Sequence, residues 1–195
     1  MAVESAESVP TSGPDDEPVD TAPPTPLEFR RAMGMFASGV TVVTGVDDGE
    51  PVGFACQSFA SVSLEPPLVL FCADHNGRTW PRIRKSGRFC VNVLAEDQVD
   101  VCDRFGSRKG KKFDGLVWDM SRWGLPALRD VLLRVHADVY DVHVAGDHDV
   151  VVGRVLELES AGEGRPMIFY RGRFGVDEPQ PQLVPNLWGW GDHWG

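Results

Sequence analysis

The sequence predicts a mainly β chain whose strands roll into a barrel, with a few short helices laid against it. Short β-branched and aromatic runs recur from Val40 to Tyr170, separated by connections of hairpin size. Helical periodicity is confined to brief stretches that begin near Thr25, Thr79 and Glu96. No Gly-x-Gly-x-x-Gly follows any strand-like run, which argues against a doubly wound nucleotide-binding sheet.

The first helix starts at Thr25-Pro26-Leu27-Glu28, a capping box with proline at the first helical position. Phe29, Ala32, Met33, Phe36 and Ala37 follow on one face, which the spacing predicts to turn inward. Gly39 ends this helix, and Val40–Val46 is the first strand. Asp47-Asp48-Gly49-Glu50 turns the chain back, as Asp-Gly pairs do. From Gly53 to Cys72 the chain reads as a strand, a turn rich in hydroxyls and amides, and a return strand after Pro66 and Pro67. Such a turn can offer N–H groups and small hydroxyls to a polar ligand.

Thr79 reads as the N-cap of a short helix holding Trp80 and Pro81. With Arg78 and Arg82 beside it, this start is a candidate phosphate seat. Phe89–Leu94 is a strand, and Glu96–Phe105 a helix with Val99, Cys102 and Phe105 inward. A basic loop follows from Gly106 to Phe113, and its spacing departs from a phosphate-binding P-loop. Leu132–Val144 alternates, but its apolar face changes phase between Val139 and Tyr140, which predicts a β-bulge. Gly146-Asp147-His148-Asp149 forms the turn, Val150–Leu158 returns, and Met167–Tyr170 is the last strand.

Both ends differ from this body. Seven of the 29 acids fall within residues 1–28 beside no Lys or Arg, so the rest, with 22 acids and 19 bases, is nearly balanced. That balance carries no nucleic-acid footprint. Residues 1–24 read as a disordered acidic, proline-rich leader, and residues 25–175 as one domain. Residues 176–195 form a tail rich in Trp, Gly and Pro, with Trp188, Trp190 and Trp194 expected to dock on the barrel or a second subunit. No apolar run is long enough to cross a membrane. The four cysteines are widely spaced, which points to buried thiols in a reducing cytoplasm and to no metal site.

Four blocks in order, FRRAMGMFASGVTVVT, GFACQSFASVSLEPPLVLFC, RTWPRIRKSGRFCVNVL and GDHDVVVGRV, resemble the flavin reductase family, whose members have an FMN-binding split barrel of Greek-key type. The likeness is greatest to the small NAD(P)H:flavin oxidoreductases that serve two-component flavin monooxygenases. It implies hydride transfer from NADH or NADPH to FMN or FAD, release of reduced flavin to a separate monooxygenase, and a homodimer. Two other functions fit the same pattern: a barrel that keeps its flavin and oxidises a substrate itself, or a flavin-binding module without turnover. Hydride transfer between two stacked rings asks the protein for position and electrostatics, and the sequence shows no catalytic triad or carboxylate pair.

By this resemblance the flavin lies against Ser38, Gly39, Val40 and Thr41 and the turn Ala55, Cys56, Gln57 and Ser58, with Ser61, Val62 and Ser63 continuing the lining. Arg82, Arg88 and Phe89 would lie near its phosphate and ribityl chain. The family's turn is usually Gly-x-Thr-Ala-Asn-Ser-Phe; Ala55, Cys56 and Gln57 replace Thr, Ala and Asn here, which removes one hydroxyl. Gly146, Asp147, His148 and Asp149 match a Gly-Asp-His motif for NAD(P)H, with His148 at the nicotinamide side.

Overall fold

The computed structural model describes residues 22–175, so most of the leader and the whole of the 176–195 tail lie outside the described residues. Three short helices and twelve strands follow one another there. They are α1 (Pro26–Met33), β1 (Ser38–Gly39), β2 (Thr41–Asp47), β3 (Glu50–Cys56), β4 (Ala60–Leu64), β5 (Pro67–Asp74), α2 (Trp80–Ser86) and β6 (Arg88–Val93). The chain continues with α3 (Val99–Gly106), β7 (Trp118–Met120), β8 (Pro126–Leu128), β9 (Leu133–Ala145), β10 (His148–Ser160), β11 (Ile168–Tyr170) and β12 (Arg173–Phe174). Seven strands make one antiparallel sheet in the order β3-β2-β6-β9-β10-β5-β4; β1, β11 and β12 form a second sheet, and β7 with β8 a hairpin.

The large sheet curves so that side chains of distant strands touch across it. Phe54 of the edge strand β3 lies 5.9 Å from Phe71 of β5, near the opposite edge. Inside the curl, Phe71 takes Trp80 and Phe89 edge-on at 5.5 and 5.1 Å, a favoured geometry for aromatic rings. Register puts Val43, Val91 and Val135 in one row across β2, β6 and β9, all facing this core. Their neighbours Val42 and Leu94 join a second core with Phe105, Leu128 and Met167. Both faces of β2 are therefore covered, which is why Thr41–Gly45 is buried throughout.

A polar row interrupts the second face. Asn92 is fully buried; its Nδ2 donates to Val42 O at 3.0 Å and Thr44 Oγ1 at 3.1 Å, while its Oδ1 accepts from Leu128 N–H at 2.9 Å. Thr44 Oγ1 in turn donates to Pro126 O at 2.6 Å. These bonds seat the β7–β8 hairpin on the sheet. Sequence patterning missed that hairpin, whose three-residue strands are too short to show alternation.

Several expectations hold. Thr25 N–H donates to Glu28 at 2.8 Å and Glu28 N–H to Thr25 Oγ1 at 3.3 Å, closing the capping box. Asp48 and Gly49 both take positive φ, as a tight hairpin turn requires. Val152 pairs with Asp141 and Gly153 with Val139, so Tyr140 is the extra residue of a bulge, where the phase change placed it.

Others need correction. Helix α1 ends at Met33, not near Gly39, and buries none of its residues: Phe29 is 56% exposed, and Phe36, beyond its end, 74%. Thr79 stands at the N-cap of α2, but its hydroxyl makes no capping bond. Val99 is part exposed, and Val101 takes its inward place beside Cys102 and Phe105. His148 and Asp149 begin β10, leaving Gly146 and Asp147 as the turn.

Candidate functional site

The sheet's curl leaves a cavity of about 610 Å³ where β3 ends, lined by the Ala55–Ser58 turn, Val40, Cys72 and His148 among others. The turn is held from behind. Ser58 Oγ accepts from Cys72 N–H at 2.8 Å and lies 3.3 Å from Cys72 O, tying it to β5. Thr41 Oγ1 donates to Cys56 O at 2.9 Å. Both hydroxyls, expected to face a ligand, are engaged in fixing the backbone that does so. Gln57 is exposed, and its amide has no protein partner among the described residues. Burial pushes the Cys56 thiol up from its ordinary pKa, so at neutral pH it is an uncharged wall rather than a nucleophile.

His148 faces the same cavity from the first residue of β10. Its Nδ1 lies 2.8 Å from Asp147 Oδ1, and that hydrogen bond holds the Asp147 carboxyl below the usual range. A carboxylate at Nδ1 fixes the proton there and leaves Nε2 of the neutral ring as an acceptor. Asp149 points elsewhere: its carboxylate accepts from Trp80 Nε1 at 2.9 Å, lies 2.9 Å from His75 Nε2, and is 3.7 Å from Arg84. The Trp80 bond first, then His75, holds its pKa down. Asp149 is thus a bolt between β10 and α2, while Gly146 supplies only the turn, at φ 63°.

From this cavity the groove runs into a second of about 510 Å³, which shares Phe54, Ala55, Asp74, Gly106 and Ser107 with the first. Arg78, Arg108 and Lys112 enter its wall. Arg78 Nη2 donates to Arg108 O at 2.8 Å and Lys112 Nζ to Phe105 O at 2.7 Å; neither cation meets a carboxylate among the described residues. Burial, and after it the charge of Arg78, pushes the Lys112 pKa down. Two cations held together by neutral carbonyls make a seat for an anion. The free Thr79 hydroxyl is on the same wall.

The remaining residues expected at the site lie apart from both cavities. Phe89 is wholly buried in the core, and Arg88 pairs with Asp138 at 2.6 Å while stacking over Trp123 at 5.7 Å. Strand alternation sends these neighbours to opposite faces, neither of them toward the groove. Ser61, Val62 and Ser63 belong to the outer strand β4, and Ser38 and Gly39 pair with β11. Arg82 lines a neighbouring cavity, its Nε held to Asp47 at 2.6 Å. Sequence reasoning did not assign Arg108 and Lys112, although the basic loop that carries them was legible.

Known proteins resemble this chain in sequence and fold. The reductase subunit HsaB of a flavin-dependent monooxygenase from Rhodococcus jostii (strain RHA1) is 51% identical over 163 residues, covering 84% of this chain and 83% of its own. The crystal structure of nitrilotriacetate monooxygenase component B from Mycobacterium thermoresistibile superposes with a TM-score of 0.74 at 47% identity, covering 82% of this chain and 92% of that one. The NADH:FAD oxidoreductase SgcE6 of Streptomyces globisporus, in complex with NAD and FAD fragments, gives 0.73 at 31% identity over 80% of this chain and 94% of that one. The flavin reductase like domain matches residues 33–176, a span that takes in all twelve strands and the whole groove, and the chain belongs to that family.

Proposed function

We propose that this chain is the reductase component of a two-component flavin-dependent monooxygenase, passing a hydride from NADH or NADPH to flavin and yielding reduced flavin to a separate oxygenase. One observation carries the reading: a turn-lined cavity with His148 on its wall opens directly into a second, where Arg78 and Lys112 meet no carboxylate among the described residues. Flavin supplies the hydride acceptor, and the chain supplies its position. The Ala55–Ser58 backbone, fixed by Ser58 and Thr41, flanks the ring, and Gln57 offers its free amide. Arg78 and Lys112 hold the phosphate. His148 Nε2, the acceptor left by Asp147, takes an N–H of the nicotinamide carboxamide and orients that ring for transfer. Hydride transfer between the two rings asks this groove for neither a general acid nor a general base.

The curl of the seven-stranded sheet supports closure into the split barrel of this family, with Ser58 and Phe54 meeting β5 at the seam. Exposed apolar residues on and just after α1 support a homodimer: Phe29 and Met33 of the helix and Phe36 beyond its end stand more than half exposed among the described residues. Light scattering is expected to give a dimer at micromolar concentration, and a fully active monomer would rule this out. Four free thiols, three of them on the flavin cavity, suit the cytoplasm.

Purified protein is expected to oxidise NADH or NADPH only when flavin is added. His148→Ala should leave flavin affinity unchanged and cost roughly threefold to tenfold in kcat/KM for the nicotinamide, the worth of one neutral hydrogen bond. Flavin that stayed bound through gel filtration would favour an enzyme that keeps it. Unchanged kinetic constants would move the nicotinamide elsewhere.

A further inference from the structure

The groove continues past the anion seat. A third cavity, of about 440 Å³, shares Arg78, Thr79, Arg108 and Lys112 with the second and adds Glu50, Lys111 and Phe113. A single phosphate monoester carries about two negative charges, which Arg78 and Lys112 match. That leaves cations over. Among the described residues the side chains of Arg108 and Lys111 make no ion pair, whereas Arg82, on the same wall, is satisfied by Asp47 at 2.6 Å.

The other groups of the third cavity are equally specific in kind. Glu50 and Asp114 line it with carboxylates that have no cationic partner among the described residues, so they stand ready as acceptors. Carboxylates beside phosphate-binding cations would oppose an anion alone, but they suit one that also carries hydroxyl donors, as an acidic residue suits a ribose diol. Phe113 and Pro51 add apolar surface for a flat base. Phosphate, sugar hydroxyls and base are the three parts of a nucleotide.

We propose that the cavity at Glu50, Arg108, Lys111 and Phe113 seats the adenylate half of a flavin dinucleotide, so that this chain binds FAD in preference to FMN. The inference rests on the reading of the first two cavities as the flavin groove. Arg108 and Lys111 hold the second phosphate, Glu50 accepts from the ribose hydroxyls, and the adenine lies against Phe113. Continuity with the ring cavity favours the flavin as the source of this phosphate over the 2′-phosphate of NADPH.

Calorimetric titration of the full chain with riboflavin, FMN and FAD tests the proposal, in the wild type and in Lys111→Glu and Lys111→Arg. The wild type is expected to bind FAD about tenfold more tightly than FMN, a gap of one charge-assisted contact. Lys111→Glu should close that gap, costing FAD about tenfold or more and FMN less than about threefold, and Lys111→Arg should preserve it. Equal wild-type affinities for FAD and FMN, or equal losses of both in Lys111→Glu, would overturn the proposal. So would a rise in KM for NADPH but not NADH with FAD affinity intact, which would give the cavity to the dinucleotide reductant. Failure of the wild type to bind riboflavin would instead overturn the flavin groove itself, so the two readings fail separately.

Discussion

Glutamine at both Arg78 and Lys112 is expected to lower the affinity for FMN by about a hundredfold to a thousandfold while leaving riboflavin within about threefold of wild type. Each cation offers a charge-assisted hydrogen bond to the phosphate, worth about 1.5–3 kcal/mol when one partner is charged. The two side chains line one cavity and sense one another's charge, so their losses will not simply add. Glutamine retains an amide donor for Phe105 O and Arg108 O, the neutral bonds that position both side chains. The loop should therefore survive, and calorimetry with the two flavins checks it. Equal losses for FMN and riboflavin would show that the groove had collapsed or that the phosphate binds elsewhere.

The second large effect is on stability. Gly153→Val is expected to destabilise the fold by about 3 kcal/mol or more, near the upper end for overpacking a core. Gly153 pairs with Val69 and Val139 within the sheet, and a Cβ there would run into the Phe89 ring, with Ala137 Cβ close behind at 3.1 Å. Phe89 cannot swing away, because it is fully buried and takes Phe71 edge-on. For a domain of this size, 3 kcal/mol corresponds to a fall in Tm of about 6–12 °C. A thermal melt followed by circular dichroism reads it, and Gly153→Val/Phe89→Leu should recover part of the loss. A melt within about 2 °C of wild type would mean that the Phe89 ring is not the obstacle.

Strands were legible in the sequence wherever hydrophobic alternation was long enough to count. Leu133–Ala145 and its partner declared themselves this way, and the phase slip between Val139 and Tyr140 located the bulge from alternation alone. Side-chain partners were not legible, because they are set by contacts across the sheet. Ser58 and Thr41 were the right residues at the right turn, yet their hydroxyls bond backbone that sequence places fourteen or fifteen residues away. Asp149 shares a motif with His148 but, one step further along a strand, its side chain faces the other way and meets Trp80. The same alternation separates Arg88 from Phe89. The amphipathic period of α1 announced a face to be covered without saying by what, and none of the described residues covers it.

Asn92 ties the exchange of one region's amide hydrogens to another's. The β7–β8 hairpin is too short to hold itself together, and Leu128 N–H ends on a side chain rooted in β6. That side chain also grips Val42 O and Thr44 of β2. The outer strand β7, whose Met120 is half exposed, can lift toward solvent, but Leu128 is released only when the Asn92 amide lets go of the central strands. In heavy water the Leu128 amide therefore belongs kinetically to the core of the sheet, while its neighbours in the surrounding loop follow their own faster opening.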